Sequence, residues 1–315
     1  MFFDQLANSP RLLIEADLKP IQGHRFQPTG FPDLGAATYQ APDGTQMLLV
    51  ESAQSVANRL ETTAWDEGAN DLVEPLKGLP YVKSVIKDGV ETNSILEAHR
   101  LNSPYIVKSD GFKTIKDEIG FNGQHPFDRR RLIAVLAKYD FNSLLHGIFL
   151  EKVGGTVRLP RVVSGFIEAR NVGVAAYGGV KVDRVQPGTK GDEKTTPYGK
   201  AKEGFGNVPY HREDYTGEVT AYFNLDLAQI RGYGLGQAGE ELLIGLALYK
   251  IQRFLREGLR LRTACDFDVQ TLRVTRPEGY NLPEIAQLEE AMPKLIEAAS
   301  DLFADEPVTV VHFKK

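Results

Sequence analysis

The chain has 315 residues, 42% of them hydrophobic and 25% charged, which is ordinary globular usage with enough length to bury a core. Its formal net charge of -5 argues against a simple nucleic-acid binder, and its single cysteine, Cys265, excludes an intramolecular disulfide and a cysteine-rich zinc site. The 30 glycines and 17 prolines argue against a purely helical protein.

In chain order, Arg11 to Ile21 alternates as a strand, and Gln22 to Gly44 reads as a long loop. Met47 to Val50 is a short extended entry. Glu51 to Glu61 is an amphipathic helix: Ala53, Val56, Ala57 and Leu60 share one face, and Gln54, Ser55, Asn58 and Arg59 share the other. Tyr81 to Ile95 is expected to be a hairpin around Asp88-Gly89. Asp128 should cap a helix through Tyr139, and Phe141 to Val153 reads as a buried strand. Val162 to Val185 holds two extended runs, and Pro187 to Tyr215 reads as a polar, turn-rich loop. Glu218 to Ile230 returns to strand. Glu240 to Glu257 is a helix with a largely apolar first half. Leu259 to Cys265 and Asp268 to Thr275 are strands. Pro283 to Phe303 is a helix that Pro293 should bend or divide, and Val308 to Phe313 is a final strand. The order predicts one α+β core, residues 1–315, with extended insertions at about 61–124 and 160–215. No apolar run reaches membrane-spanning length, and the N-terminus lacks a basic start followed by an apolar stretch. The expected location is the cytoplasm, with no membrane partner.

The net charge hides basic tracts. From Arg158 to Lys190 there are six Lys/Arg against two Asp/Glu; from Lys250 to Arg276 there are seven against three; from Glu278 to Glu306 there are eight acids against one lysine. Arg158, Arg161, Arg170, Lys181 and Arg184 lie among Phe166, Tyr177 and several glycines. They could meet phosphate and stack on bases, or form a solvated hairpin. Lys250, Arg253 and Arg256 followed by Arg260 and Arg262 suggest a basic ridge.

Gly234-Leu-Gly236-Gln-Ala-Gly239 imitates a dinucleotide fingerprint, the basis of an oxidoreductase alternative. It stands alone, outside any βαβ series, so a glycine loop capping a helix is the better reading. The six histidines are scattered, and no zinc-protease, nucleophile-elbow or P-loop pattern occurs. Asp266 and Asp268 could share a strand face, where salt-bridged carboxylates are commoner than a metal pair.

The strings LLVESAQSVANRLE (Leu48 to Glu61), LPRVVSGFIEARN (Leu159 to Asn171) and LRLRTACD (Leu259 to Asp266), with the opening EADLKPIQGHRFQPTGFPDLGAATY, resemble the backbone protein of type I-G (formerly type I-U) CRISPR effector complexes. The resemblance covers nearly the whole chain. It implies a RAMP-superfamily protein of the Cascade backbone branch, with a modified RNA-recognition-motif (ferredoxin-like) palm carrying finger and thumb insertions. Copies would stack head to tail along a CRISPR guide RNA, beside other Cascade subunits. The guide would pair with target DNA, and a separate helicase-nuclease would do the cutting. The implied protein is not an enzyme and needs no metal or other cofactor. The loop after the first strand and the following helix would hold the guide backbone, here Gln22, His24, Arg25, Gln54, Ser55, Asn58 and Arg59, with Arg260 and Arg262 from the C-terminal part. Asp33 keeps a metal-dependent RNA endonuclease as an alternative, because type III relatives cut with an aspartate in a comparable loop; a loop carboxylate is also an ordinary turn residue.

Overall fold

A computed structural model describes residues 3–31, 34–121, 123, 126–155, 157–181, 195–196, 199–200 and 208–313. β1 (Arg11–Pro20) buries Leu12, Ile14, Ala16 and Leu18 on one face and turns Glu15 and Asp17 to the other, as period-two alternation dictates. β2 (Thr38–Gln40) and β3 (Gln46–Glu51) follow. α1 (Ala53–Thr62) starts where the Ser52 hydroxyl accepts the Ser55 N–H at 3.3 Å, and it buries Val56, Ala57 and Leu60. Each fully buried Leu of this kind contributes roughly 1.5–3 kcal/mol.

β4 (Tyr81–Val85) and β5 (Glu91–Asn93) form the expected hairpin, and β6 (Ser109–Asp110) lies in the same small sheet. Asp128 caps α2 (Arg129–Tyr139), accepting from the N–H groups of Arg130 at 2.9 Å and Arg131 at 3.2 Å. Phe141 to Val153 is not a strand. It opens with a second helix, α3 (Phe141–His146), because the Asp140 carboxylate accepts both the Ser143 N–H at 3.3 Å and its hydroxyl at 2.6 Å. An apolar run alone does not tell a buried helix from a buried strand; here the cap decides.

β7 (Val163–Lys181) and β8 (Val208–Asp226) are 19 residues each and pair along their described length. Val208 to Tyr215 is therefore strand rather than loop. The ends near Val163 and Asp226 sit in the main sheet, and the rest projects as a two-stranded ribbon. α4 (Gly236–Glu257), β9 (Arg260–Arg262), β10 (Cys265–Arg276), α5 (Ile285–Ala298) and β11 (Val308–Phe313) complete the chain. Pro293 neither divides nor ends α5, although it removes one helical hydrogen bond. Leu288, Met292 and Ile296 are buried on one side of this helix. At Gly245 of α4 an added Cβ would meet Leu295 Cδ1 at 2.7 Å, so glycine permits the close approach of the two helices.

The main sheet is antiparallel, in the order β9-β10-β1-β8-β7-β3-β2. Its four long strands β1, β7, β8 and β10 stand in the spatial order β10-β1-β8-β7, with α1 in the first crossover and α4 in the second. Both helices cover the apolar face, where Phe223 meets Phe254 edge-on at 6.2 Å. The other face carries Phe166 stacked on Tyr222 at 5.1 Å, and charges that satisfy one another: Arg273 binds Glu15 at 2.6 Å and also Asp17. β11 returns to pair in parallel with β4 in the smaller sheet, of order β6-β11-β4-β5. Among the described residues, no helix is long and apolar enough to cross a membrane.

Beneath α1 and α4 lies a buried polar network. Arg100 donates from Nε and Nη2 to the two oxygens of Glu61, at 2.6 and 2.7 Å, and Asn142 Nδ2 donates to Glu61 at 2.9 Å. Lys250 Nζ donates to Asn142 Oδ1 and lies 3.1 Å from His146 Nε2. Burial pulls Lys250 down to about 8 and holds His146 well below its usual range. Lys250 is thus part of the interior and not of a surface ridge. Steps of three residues advance about 300° around a helix, so Lys250, Arg253 and Arg256 drift across its surface by about 60° per step.

Burial also pushes the Asp140 carboxyl up to about 7, against the Ser143 hydrogen bonds that pull it down. An acid whose folded value exceeds its usual 3.8 contributes stability below that value and loses it as the pH rises towards 7. Asp140→Asn keeps a capping oxygen and removes the titration. Its stability relative to wild type should therefore increase steadily between about pH 4 and 7 in urea unfolding. A difference independent of pH would rule this out.

Candidate nucleic-acid interface

The outer surface of α1 carries Gln54, Asn58 and Thr62 at intervals of four, all exposed, with no exposed acid on the helix: Glu61 is buried. Gln54 Nε2 donates to Asn58 Oδ1 at 3.0 Å. Arg161 reaches the N-terminal end of this strip, donating to the Ala53 carbonyl at 3.1 Å and to Gln54 Oε1. The chain of donors runs from Arg161 to Gln54 to Asn58, and the amide nitrogen of Asn58 has no acceptor among the described residues. Such neutral amides with a nearby guanidinium suit sugar-phosphate contacts.

Arg59, Ser55 and Arg262 converge on Glu51 at the end of β3. Glu51 is 1% exposed; Arg59 Nε lies 3.0 Å from its Oε1, to which the Ser55 hydroxyl also donates, and Arg262 pairs with its other oxygen. Arg59 also donates to the Leu261 carbonyl, and Arg262 to the carbonyls of Gln27 at 3.0 Å and Val50 at 3.2 Å. Arg262 Nη1 stands 3.3 Å from Cys265 Sγ, whose thiol burial pushes up to about 11. These two arginines therefore join α1, β3 and β9. One carboxylate against two guanidiniums leaves the trio with one net positive charge.

At the C-terminal ends of α1 and α4 lies a cavity of about 290 Å³, whose walls include Arg59, Thr62, Trp65, Arg253, Glu257 and Arg260. Arg253 is paired with Glu257 at 3.1 Å and with Glu289 at 3.5 Å. The Arg260 side chain is exposed and has no partner among the described residues. Thr62, Thr63 and Trp65 carry no sequence signal for such a cavity, because its walls come from segments almost 200 residues apart.

The loop after β1 is clamped to the ribbon. Phe26 and Tyr215 exchange backbone hydrogen bonds at 2.9 Å, and the Arg25 guanidinium lies 4.9 Å from the centre of the Tyr177 ring and 4.0 Å from Asp214. Gln22 and His24 are exposed beside it. Arg158 is exposed near the start of β7, and Lys181 is exposed at the outer described end of the ribbon. Arg170 is paired with Asp43 at 2.7 Å, at the edge of the main sheet. The structure thus gathers Gln54, Ser55, Asn58, Arg59, Arg161, Arg260 and Arg262 around α1. Gln22, His24, Arg25 and Lys181 belong to the ribbon side. Arg184 and Asp33 lie outside the described residues.

The glycine loop Gly234 to Gly239 does not follow a strand: β8 ends at Asp226 and a short helix, Leu227–Arg231, intervenes. Gly234 and Gly236 have φ of 68° and 72°, a conformation that favours glycine, so the loop is a turn entering α4. Among the described residues no group of three or more His, Cys, Asp or Glu side chains could hold a metal ion.

A family model described as CRISPR-associated protein GSU0053 matches residues 12–174, more than half of the chain. A search of curated proteins finds no match. Among solved structures, a chain of a "CRISPR RNA-guided surveillance complex, pre-nicking" is 13% identical, with 93% of this chain and 89% of that chain covered and a TM-score of 0.44. Csc2 of Thermofilum pendens is 10% identical, with 95% and 79% covered and a TM-score of 0.32.

Proposed function

Because the chain belongs to the family of CRISPR-associated protein GSU0053, we propose that it is a non-catalytic, guide-RNA-binding backbone subunit of a type I-G Cascade complex. Copies stack head to tail along one guide, which then pairs with target DNA, and other subunits process and cut. The chain order strand-helix-strand-strand-helix-strand of β1, α1, β7, β8, α4 and β10, with the spatial order β10-β1-β8-β7, supports reading the main sheet as a modified RNA-recognition-motif palm. The observation that carries RNA binding is the acid-free strip on α1, with Arg161 at one end and Arg260 at the other.

Contacts to a phosphate backbone ignore sequence and weaken with salt. Binding of unrelated guides should therefore be similar, and log affinity should fall linearly with log salt, by about 0.7 per phosphate contact for a single strand. The test is RNA content and size distribution of the protein purified from cells that also express a guide. RNA-bound particles whose size follows guide length are expected; a nucleic-acid-free protein that ignores added guide would sink the reading. The same preparations, incubated with complementary RNA and magnesium, address Asp33. No cleavage is expected, and specific cleavage lost in Asp33→Ala would make the protein a nuclease.

A further inference from the structure

We propose that the cavity at the C-terminal ends of α1 and α4 is a phosphate-binding pocket, with Arg260 as its free anchor and Arg59 as its fixed wall. The proposal deepens the guide-binding reading and rests on it for the source of the phosphate, a phosphodiester of the guide.

Three observations converge. First, the charge is uneven. Three arginines line the cavity, Arg59, Arg253 and Arg260, against one acid, Glu257. Arg253 pairs with Glu257 and with Glu289 behind it, and Arg59 with Glu51, whereas Arg260 has no partner among the described residues. Two helix C-termini flank the cavity and oppose an anion, each with about half a negative charge at most. The lining itself, three arginines against Glu257, holds two net positive charges, which outweigh them; Glu257 is engaged by Arg253, and Glu289 stands outside the lining. Second, Trp65 forms part of the wall and is nearly buried, and its indole N–H has no acceptor among the described residues. Third, the cavity continues the α1 strip: Gln54 and Asn58 lead to Thr62, which lines it. A polymer followed along the strip would bring a phosphate there. Guanidiniums suit phosphate because their planar donors match its several oxygens.

Trp65 is the chain's single tryptophan, so its emission reports on this cavity alone. The wild type and Arg260→Ala are titrated with inorganic pyrophosphate and with a short oligoribonucleotide, and RNA retention is measured separately on filters. A saturable change in emission is expected with both ligands, each displacing the other, with both about tenfold weaker in Arg260→Ala. Arg260 is exposed and has no partner among the described residues, so the variant should unfold at the wild-type temperature. Mutual displacement assigns the phosphate to RNA; a response to pyrophosphate that the oligonucleotide neither produces nor displaces assigns it to a free phosphate ligand and still supports the pocket. No saturable response to either, or a response that Arg260→Ala leaves intact, overturns the proposal. RNA held on filters with Trp65 silent removes the pocket and spares the guide-binding reading. Pyrophosphate bound without RNA removes that reading and spares the pocket.

Discussion

Glu61→Ala should lower unfolding stability by about 3–5 kcal/mol, the usual cost of leaving a buried charge without its partner. Glu61 holds Arg100 through two hydrogen bonds and Asn142 through a third, and Lys250 hangs on Asn142. All four side chains are buried. Removing the carboxylate leaves Arg100 and Lys250 near each other in a low-dielectric interior, with Asp140 as the remaining acid. Asp140 would then ionise more readily, because Glu61 is one of the charges holding it protonated. The double variant Glu61→Leu with Arg100→Leu removes both charges and should cost less than either single change. Urea midpoints for the three variants decide it. A Glu61→Ala protein within about 0.5 kcal/mol of wild type, the range of ordinary surface changes, would mean that the network carries no stability.

The second large effect is on RNA. Gln54→Glu with Asn58→Glu sets two carboxylates on the exposed strip of α1 and gives Arg161 an acid to pair with. Like charges at a contact cost several kcal/mol, so guide binding should weaken by about 2–4 kcal/mol, roughly 30- to 1,000-fold in Kd. Stability should hardly change. Both side chains are exposed, and a like-charge pair four residues apart on a helix costs only about 0.2–0.5 kcal/mol. Gln54→Ala with Asn58→Ala removes the amides without adding charge and should weaken binding much less. Filter binding at two salt concentrations reads all of this, and undiminished binding by the double glutamate variant would remove α1 from the interface.

These two variants separate features that look alike along the chain. Asn58 and Arg59 are adjacent polar residues on one amphipathic helix, yet Asn58 is exposed and Arg59 is half-buried, held by Glu51 and the Leu261 carbonyl. Helical periodicity separates the apolar face from the polar one; it does not say which polar residues meet a partner. Arg262 illustrates the same limit, since its acceptor on Val50 lies 212 residues away. Lys250 goes further: spacing placed it on a ridge, and the fold buried it beside Asn142 and His146.

The local patterns were reliable where the signal was itself local. Alternation in β1, the apolar face of α1 apart from Ala53, which is exposed, the Asp128 cap, the Asp88-Gly89 hairpin and the bounds of β11 could all be read from the residues alone, because each depends on neighbours within a few positions. The long strings that resemble a CRISPR family were equally a property of the sequence, and the family match over residues 12–174 spans all of them except Leu259 to Asp266. Tertiary structure decided the rest: that β11 completes a sheet with β4, that Val163 to Arg170 joins the main sheet before the ribbon begins, and that the charges of Glu51 and Glu61 are met inside. The physical reason is one of range. Apolar burial is averaged over a face and leaves a periodic trace, whereas a buried charge must find a particular partner at hydrogen-bonding distance, and only the folded chain brings Arg262 to Glu51, Arg100 to Glu61 and Arg260 to the end of α1, where it has no partner among the described residues.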